Sequence, residues 1–387
     1  MDEILAWTMR AQPRIILFLK ELVECESPSD DNAAVDRFVD LFAERVSDIA
    51  TVATYPGGKF GRNLRCDFRL PGPRKKSGGR VLGVGHSDTV WPVGTLRNMP
   101  WREEKGRLWG PGVLDMKSGL AFFVFAMRAL RDLDIPVRAP VSLWIVSDEE
   151  VGSEVSRPLT EREAKRSAAV LVAEPGTGLE GKAKTARKGV GDFVVRVRGR
   201  AAHAGVDFGA GASAVVELAR QIVKIAGFTN LKKGLTVNAG IIRGGSRTNV
   251  VAAEAEAEVD VRVVRMKDYP GLERKFHALR PFDKRCTLEV SGGLNRPPME
   301  RNAGVVKLYR LAQGLAKEMG IKLEESSTGG GSDGNFTAGL GIPTLDGIGG
   351  VGEGAHAAHE SMLVDRIADR TALLARLVER LGGSTPA

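Results

Sequence analysis

The sequence has little cysteine and no long apolar run, and both absences narrow the possible classes of protein. Its three cysteines, Cys25, Cys66 and Cys286, form neither a CxxC pair nor an even-numbered set. This argues against a disulfide-stapled secreted domain and against a thiolate metal site, and it favours a reducing compartment. The apolar stretch at residues 15–19 is followed at once by two charged residues and is too short to cross a membrane. We therefore expect a cytoplasmic protein that does not insert into a membrane.

The sequence also lacks internal repeats, low-complexity tracts and the mixture of basic and aromatic residues that is typical of nucleic-acid binding. Its net charge of +8 comes from 56 Lys and Arg against 48 Asp and Glu. The densest basic cluster, Arg74, Lys75, Lys76 and Arg80, is interrupted by Pro and Gly between two strand-like segments, which predicts a solvated hairpin loop. We expect no nucleic-acid partner, and a basic surface around a carboxylate-rich centre would instead attract anionic substrates.

Chain length and pattern predict two domains. A chain of 387 residues exceeds what one hydrophobic core usually serves. Up to residue 181, strand-like apolar segments alternate with helical ones, which predicts an α/β domain with a mostly parallel sheet flanked by helices. Residues 182–295 show alternating strand patterns around an amphipathic helix, which predict a smaller inserted α+β domain. The first pattern resumes afterwards, so residues 1–181 and 296–387 are predicted to form the first domain together.

An apolar run at residues 141–146 leads into three consecutive carboxylates, Asp148, Glu149 and Glu150. Such a run is typical of a buried strand, and ligands of parallel sheets bind beyond the carboxyl ends of the strands. Adjacent anions repel one another, so a cation or a proton would have to compensate them at the rim of a core. From this stretch alone, a solvated acidic turn is the alternative interpretation.

More histidines and carboxylates follow other predicted strands or Gly-rich turns, namely His86, Asp88, Asp115, Glu174 and His356. A single histidine after a strand is more often structural than a ligand, but recurrence at the same edge favours a metal site. Imidazole and carboxylate donors without cysteine suit Zn²⁺, with Mn²⁺ or Co²⁺ as alternatives. One catalytic ion needs only three protein ligands, so the surplus predicts two divalent metal ions per chain that share a bridging carboxylate.

These motifs, taken in this order, resemble the motif set of the aminoacylase and carboxypeptidase family of dinuclear zinc peptidases. The matching segments are His86-Ser87-Asp88, residues 110–119, Asp148-Glu149-Glu150, Glu174-Pro175-Gly176, and His356 four residues before Glu360. The family includes acetylornithine deacetylase, succinyl-diaminopimelate desuccinylase, tripeptidase and carnosinase. Residues 199–205, 244–249 and 260–262 resemble the lid and dimerisation domain of its glutamate carboxypeptidase branch. The resemblance covers nearly the whole chain and implies a homodimeric enzyme.

The resemblance implies a role for each residue of the metal set. Asp115 would be the bridging carboxylate between the two ions. His86 and Glu174 would bind one ion, and Glu150 and His356 would bind the other. The roles of the adjacent Glu149 and Glu150 are consistent with the chemistry, because neighbouring residues on an irregular rim can aim one carboxylate at the metal and the other at its bound water.

Two further residues near the metal set receive roles from the same resemblance. Glu149 would be the general base that activates a metal-bridged water. Asp88 lies two residues after His86 and is placed to accept its other ring N–H, which would fix the tautomer; a turn-forming aspartate is the alternative. His359 lies so close to His356 that the last metal ligand is ambiguous, and motif spacing favours His356.

The resemblance also implies residues that contact substrate. His203 and Asn249 would stabilise the oxyanion of the tetrahedral intermediate, with His203 reaching the active site of the partner subunit. A surface histidine on a loop before a helix is the alternative for His203. Arg262 matches the position that binds a substrate carboxylate, for which a guanidinium fork is suited. Arg296 could add positive charge or could equally be a solvated surface residue. Gly330 lies in a segment that resembles the family's Gly-rich segment near the substrate.

The leading functional prediction is metal-dependent hydrolysis of an amide or peptide bond that releases a C-terminal, acidic amino acid, as in glutamate carboxypeptidase. The alternative is an N-acyl amino acid deacylase or a dipeptidase of the same family. A third interpretation is a non-catalytic scaffold dimer, but Glu149 argues against it because a scaffold needs no general base. The released amino acid, the leaving group and the physiological metal are left open by the sequence.

Overall fold

The computed structural model describes residues 2–73 and 79–383. Its internal contacts divide the chain into two compact units. The first contains the residues up to 186, residues 301–328 and the residues from 332 onward, and the second contains residues 187–300 and 329–331. The boundaries predicted from the sequence, 181/182 and 295/296, lie a few residues earlier in the chain.

The helices, in chain order, are α1 (Glu3–Glu24), α2 (Asn32–Val46), α3 (Ser118–Asp132), α4 (Arg157–Lys165), α5 (Ala214–Ala226), α6 (Tyr269–His277), α7 (Ala303–Glu318), α8 (Gly334–Gly339) and α9 (Ile367–Gly383). The strands are β1 (Ala50–Tyr55), β2 (Asn63–Phe68), β3 (Arg80–His86), β4 (Arg102–Glu104), β5 (Arg107–Trp109), β6 (Val141–Val146), β7 (Ser167–Val172), β8 (Ala183–Arg187), β9 (Gly189–Arg198), β10 (Thr236–Gly244), β11 (Glu254–Val263), β12 (Thr287–Arg296), β13 (Glu325–Thr328), β14 (Thr344–Leu345), β15 (Gly352–Glu353) and β16 (Ser361–Leu363). In the described part of the chain, no helix has the length and apolar character needed to span a membrane.

The first unit is built on a six-stranded sheet with the strand order β1-β2-β6-β3-β7-β14. β6, β3, β7 and β14 run parallel, whereas β2 is antiparallel to both of its neighbours. Apolar side chains cover both faces of this sheet, and every residue of β6 is buried. Burial on both faces explains why the central strands read as continuous apolar runs. The predicted α/β fold class, with a mostly parallel sheet flanked by helices, is confirmed.

The connection before β3 differs from the sequence-based prediction. β2 and β3 are not neighbours, because β6 lies between them and pairs with both. The predicted hairpin between β2 and β3 is therefore wrong. Two strand patterns that follow one another do not reveal that a later strand will be inserted between them. The basic residues of this connection, Arg74, Lys75 and Lys76, lie outside the described residues.

Helix α3 fixes the Gly-rich turn that precedes it. Its residues Leu120, Phe122 and Phe123 are fully buried, and α3 packs against both α1 and α9 in the main core. A helix with so much buried apolar surface is held firmly, since each buried large side chain contributes about 1.5–3 kcal/mol. The turn at residues 110–117 leads directly into this helix, so Asp115 is anchored at the edge of the core.

The second unit contains an antiparallel four-stranded sheet with the order β10-β11-β9-β12. Residues of β9 and β11 alternate between buried and less buried positions, as expected for a sheet with one face covered. Helices α5 and α6 supply the cover, with Leu218, Ile225 and Phe276 in a second hydrophobic core. The predicted α+β character of the inserted region is confirmed. β10 forms one edge of this sheet.

Candidate metal centre

The predicted metal ligands of the first unit converge at one edge of its sheet. β3 ends at His86, and Glu150 and Glu174 follow closely after β6 and β7. These strands are parallel neighbours, so their carboxyl ends lie together, where parallel α/β sheets bind ligands. His86, Asp115 and Glu150 each offer a ligand atom, and these atoms all lie within 4.8 Å of one another. The structure thus brings together residues that are widely separated in the sequence.

Asp115 lies between the two imidazoles. Its Oδ1 is 3.3 Å from Nε2 of His86, and its Oδ2 is 3.4 Å from Nε2 of His356. Glu174 Oε1 lies 3.4 Å from the same nitrogen of His86. Glu150 Oε2 lies 3.0 Å from the same nitrogen of His356. Each oxygen of Asp115 therefore faces a different histidine and glutamate pair.

His356 reaches the carboxylates from the turn between β15 and β16. Its φ of +62° is in the left-handed region, which non-glycine residues adopt only when their surroundings hold them there. His359 lies in the same turn, is exposed, and makes no hydrogen bond or ion pair with the carboxylates within the described ranges. Of the two histidines that the sequence left ambiguous, His356 is the one that lies against the acidic cluster.

The cluster favours positive charge between its carboxylates. Burial lowers the pKa of His86. Hydrogen bonds with carboxylates, of which the bond with Asp115 has the largest effect, outweigh burial and raise the pKa well above its usual value. Hydrogen bonds with Asp115 and Glu150 raise the pKa of His356 to about 10. Burial would raise the pKa of Asp115, yet the two imidazoles hold it well below its usual range. Carboxylates that stabilise two imidazolium charges would also stabilise divalent cations, which bind imidazole after its proton has left.

The donor set fits a divalent metal. It consists of imidazole nitrogens and carboxylate oxygens, and the three cysteines of the chain lie elsewhere as free thiols. Such donors suit Zn²⁺, Mn²⁺ and Co²⁺. His86 is 1% exposed and Glu174 is 7% exposed, so these ligand atoms are already withdrawn from water. A metal could bind them without a large rearrangement of the surrounding chain.

Asp88 contacts the candidate metal centre through its backbone carbonyl and through its carboxylate. Its backbone carbonyl oxygen lies 2.8 Å from Nδ1 of His86, whereas its carboxylate Oδ1 is 3.5 Å away. The carboxylate accepts the backbone N–H groups of Glu149 and Glu150 at 3.2 and 3.1 Å, and the hydroxyl of Ser29 at 2.7 Å. Asp88 lies against the second ring nitrogen of His86 as predicted, but its backbone carbonyl, not its carboxylate, is the nearer group. The carboxylate instead accepts the backbone N–H groups of Glu149 and Glu150 and so holds this acidic segment in place.

The three consecutive carboxylates have different environments. Asp148 is fully buried, and its Oδ2 accepts the N–H groups of Val155 and Ser156 at 2.8 and 3.2 Å. Burial raises the pKa of this carboxyl group. Glu150 turns to the histidine cluster, and Glu149 is half-buried at the rim. The alternative interpretation of a solvated acidic turn is therefore wrong.

The sequence analysis did not identify Glu360 as part of the candidate centre. It used this residue only to choose His356 by its spacing. Its side chain is fully buried beneath the turn that carries Asp115 and accepts the N–H of that residue at 3.0 Å. Burial raises the pKa of this carboxyl group. The signal that could have identified it was its position in the sequence, four residues after the predicted ligand His356.

The remaining candidates belong to the second unit, where His203 and Asn249 lie on paired segments. A bridge joins His203 to Val250, and the N–H of Ala204 donates to the Asn249 carbonyl at 2.9 Å. Both candidate side chains belong to exposed residues. Nδ1 of His203 accepts the N–H of Gly205 at 3.1 Å, so the neutral ring carries its proton at Nε2. His203 therefore presents a hydrogen-bond donor to its surroundings.

Arg262 is surrounded by other groups of the second unit. Its guanidinium binds the carboxylate of Asp260, with Nε and Nη2 at 2.9 and 2.7 Å from Oδ2, and Nη1 donates to a carbonyl of residues 329–331 at 3.2 Å. Arg187 donates to two other carbonyls of this segment. Arg296 is buried, and a Cβ on the last glycine of the segment would collide with it. Three guanidinium groups thus lie around the Gly-rich segment that contains Gly330.

An imidazole and carboxylate centre at the carboxyl ends of a parallel sheet is an arrangement that suits a metal-dependent hydrolase. The model of Peptidase family M20/M25/M40 matches residues 83–380, and the chain belongs to this family. This finding confirms the family resemblance and the enzyme class that the motifs predicted.

Individual relatives extend this likeness over the chain. Carboxypeptidase G2 of Pseudomonas sp. (strain RS-16) is 29% identical over 381 residues, which cover 96% of this chain and 90% of that protein. Acetylornithine deacetylase of Erwinia tasmaniensis is 26% identical over 337 residues, which cover 81% and 84%. The crystal structure of aminopeptidase PepT from Bacillus cereus ATCC 10987 has a TM-score of 0.79 at 24% identity and covers 96% of this chain and 98% of that one. This last likeness shows the shared fold.

Proposed function

We propose that the protein is a dinuclear metallocarboxypeptidase of the glutamate carboxypeptidase type, which hydrolyses an amide bond and releases a C-terminal acidic amino acid. The observation that carries the proposal is Asp115, whose two oxygens each face a different histidine and glutamate pair. The likeness to carboxypeptidase G2 over 96% of the chain supports the substrate class. The substrates proposed for this protein are small peptides or N-acyl amino acids.

The geometry around Asp115 suits two divalent ions. His86 and Glu174 would hold one ion, Glu150 and His356 would hold the other, and Asp115 would supply one carboxylate oxygen to each. Zn²⁺ is favoured, with Mn²⁺ or Co²⁺ as alternatives. When bound, the ions supply Lewis acidity, which polarises the scissile carbonyl and makes the attacking water more acidic. The protein supplies a fixed, partly water-excluded frame in which these charges are compensated.

Glu149 is the general base of the proposed reaction. It takes a proton from the attacking water and delivers it to the nitrogen of the leaving group, so that the amine departs in its neutral form. Its position supports this role, because it precedes the ligand Glu150 and remains half-buried at the rim of the same sheet edge. Its backbone N–H is held by the Asp88 carboxylate.

The second unit supplies groups that recognise the substrate. His203 and Asn249 donate hydrogen bonds to the oxyanion that develops on the carbonyl oxygen, and the Nε2 proton of His203 suits this task. Arg262, Arg296 and the backbone at Gly330 bind the carboxylates of an acidic product. Arg262 remains the proposed contact even though Asp260 already engages it, because a guanidinium has five N–H donors.

The protein is proposed to be a homodimer whose active sites receive His203 from the partner chain. β10 is an edge strand that exposes Ile241 and Ile242, and the neighbouring helix α5 exposes Val216 and Val223. Exposed edge strands with apolar side chains tend to pair with another chain. A second copy can pair along the same edge in an isologous interface.

The cytoplasmic location predicted from the sequence is also retained as a proposal. Cys25, Cys66 and Cys286 are all free thiols in the structure. Free thiols persist in a reducing compartment, where disulfides are rare.

A substrate panel tests the proposed activity. The metal-loaded enzyme should hydrolyse N-acyl-glutamates with the highest kcat/KM, followed by N-acyl-aspartates, with much lower values for neutral dipeptides and for N-acetyl derivatives of neutral or basic amino acids. Released amino acids can be quantified by chromatography. A preference for N-acetyl amino acids of other kinds would favour the deacylase alternative, which the likeness to acetylornithine deacetylase supports. Hydrolysis of none of these compounds would favour the scaffold.

Mixed dimers test the contribution of His203 in trans. Inactive Glu149→Gln chains and inactive His203→Ala chains, dissociated and reassociated together, should recover about a quarter of wild-type activity, because random mixing makes about half of the dimers hybrid and each hybrid has one intact site. Activity is measured after hybrid formation has been verified with a size tag on one chain. Glu149→Gln chains treated alone are the control and should stay inactive. Hybrids that form without recovering activity would show that His203 does not act across the interface.

A further inference from the structure

Glu360 receives an unusual set of hydrogen bonds for a buried carboxylate. Its Oε1 accepts the backbone N–H groups of Leu114 and Asp115 at 2.9 and 3.0 Å. Its Oε2 accepts the backbone N–H of Gly112 at 3.0 Å and the indole N–H of Trp91 at 2.9 Å. The side chain is fully buried. Two N–H donors therefore point at each of its oxygens.

This arrangement excludes Glu360 as a metal ligand or a general base. An ionised carboxylate has about four lone-pair sites, and the four donors occupy them. A ligand or a base needs a lone pair directed at the metal or at a reacting proton. Any contribution of Glu360 to the centre must therefore pass through the groups that it holds.

The groups that it holds belong to the segments that carry the proposed ligands. The turn at residues 112–115 presents Asp115, whose side chain must face both histidines at once. Trp91 follows Asp88 and His86 on the segment after β3. Glu360 itself ends the turn segment that contains His356, and its N–H donates to the Ala357 carbonyl at 2.8 Å. One carboxylate thus connects three segments that come from distant parts of the chain.

We propose that Glu360 is a positioning residue of the metal centre, which preorganises Asp115 and the turn of His356 for metal binding. The inference deepens the proposed metal centre and rests on it. Buried backbone N–H groups must have acceptors, so without this carboxylate the turn at residues 112–115 has to move to satisfy them. Such a movement would take the Asp115 oxygens out of line with their two ligand pairs, and groups that orient ligands in this way influence metal affinity.

Metal titration of isosteric variants tests this proposal. Glu360→Gln keeps the size of the side chain but places an NH₂ group against two N–H donors. Full-length protein is stripped with a chelator and titrated with Co²⁺, and the visible absorption spectrum of Co²⁺ reports the ligand geometry. We expect the Kd of the variant to increase by about 10–100-fold and its spectrum to change. Glu353→Gln is the matched control, since Glu353 is exposed, pairs with Arg107 at 2.8 Å and makes no hydrogen bond with residues 112–115 in the described part of the chain. It should bind Co²⁺ like the wild type.

A second variant keeps the test decisive if Glu360→Gln does not fold, as judged by circular dichroism. Trp91→Phe removes only one of the donors to Glu360 and should weaken Co²⁺ binding in the same direction by a few-fold. If the wild type binds Co²⁺ and the folded variants match it in affinity and spectrum, the positioning role is overturned while the metal centre stands. If the stripped wild type binds no Co²⁺, the proposed metal centre itself fails, and this inference fails with it.

Discussion

Replacement of Glu149 by Gln should reduce turnover by about 100-fold or more, the usual scale for the loss of a general base. Glutamine has nearly the same size and keeps the backbone N–H that donates to Asp88, so the fold and the metal content should remain close to wild type. The amide cannot take a proton from water, and the chemical step is therefore slowed. The measurement is kcat of the metal-loaded variant on the best substrate of the panel, together with elemental analysis.

Two comparison variants make this result specific. Glu154→Gln removes an exposed carboxylate a few residues farther along the chain and should have near-normal turnover. Glu150→Gln should behave differently from Glu149→Gln, because Glu150 lies against His356 and its loss should also lower the metal content. Near-normal turnover of Glu149→Gln would show that another residue moves the proton.

Removal of the metal should abolish activity completely, since both the polarisation of the carbonyl and the acidification of water depend on it. Active protein should contain two divalent ions per chain, because Asp115 faces two separate histidine and glutamate pairs. Chelation should remove activity, and Zn²⁺, Mn²⁺ or Co²⁺ should restore it. Elemental analysis of protein after gel filtration, in parallel with activity, provides the measurement.

The number of ions separates this prediction from a simpler site. Full activity with a single ion per chain would mean that Asp115 does not bridge two metals. Activity that survives complete removal of metal would contradict the proposed reaction class. Titration of the stripped enzyme with Zn²⁺ distinguishes these results, since two ions predict that full activity returns only near two equivalents.

Much of the fold could be predicted because its signals are local. The continuous apolar run of β6 and the alternating pattern of β9 each reflect how many faces of a strand are covered, and that number shapes the choice of residues directly. The order of strands in the sheet is not local. β6 pairs between β2 and β3 although it follows both in the chain, so the predicted hairpin failed.

The composition of the candidate centre followed from the same kind of signal. His86 is the last residue of an apolar strand and Glu174 follows another closely, and the carboxyl ends of parallel strands meet at one edge. The family resemblance then depended on several such motifs in a set order. A site of this type can be recognised in a sequence because burying histidine and carboxylate side chains at strand ends costs free energy unless a cation or a hydrogen-bond partner compensates them.

The detailed contacts depended on packing between distant segments. Only the folded chain shows that each Asp115 oxygen faces its own histidine and glutamate pair, and that the Asp88 carbonyl is the nearer partner of the His86 ring. It also shows that the carboxylate of Glu360 accepts backbone N–H groups from the turn that carries Asp115. A residue's spacing in the sequence limits which neighbours it has within a few residues. Hydrogen bonds between distant segments depend on which buried backbone groups still lack a partner after the core has packed. Spacing in the sequence does not reveal which groups these are.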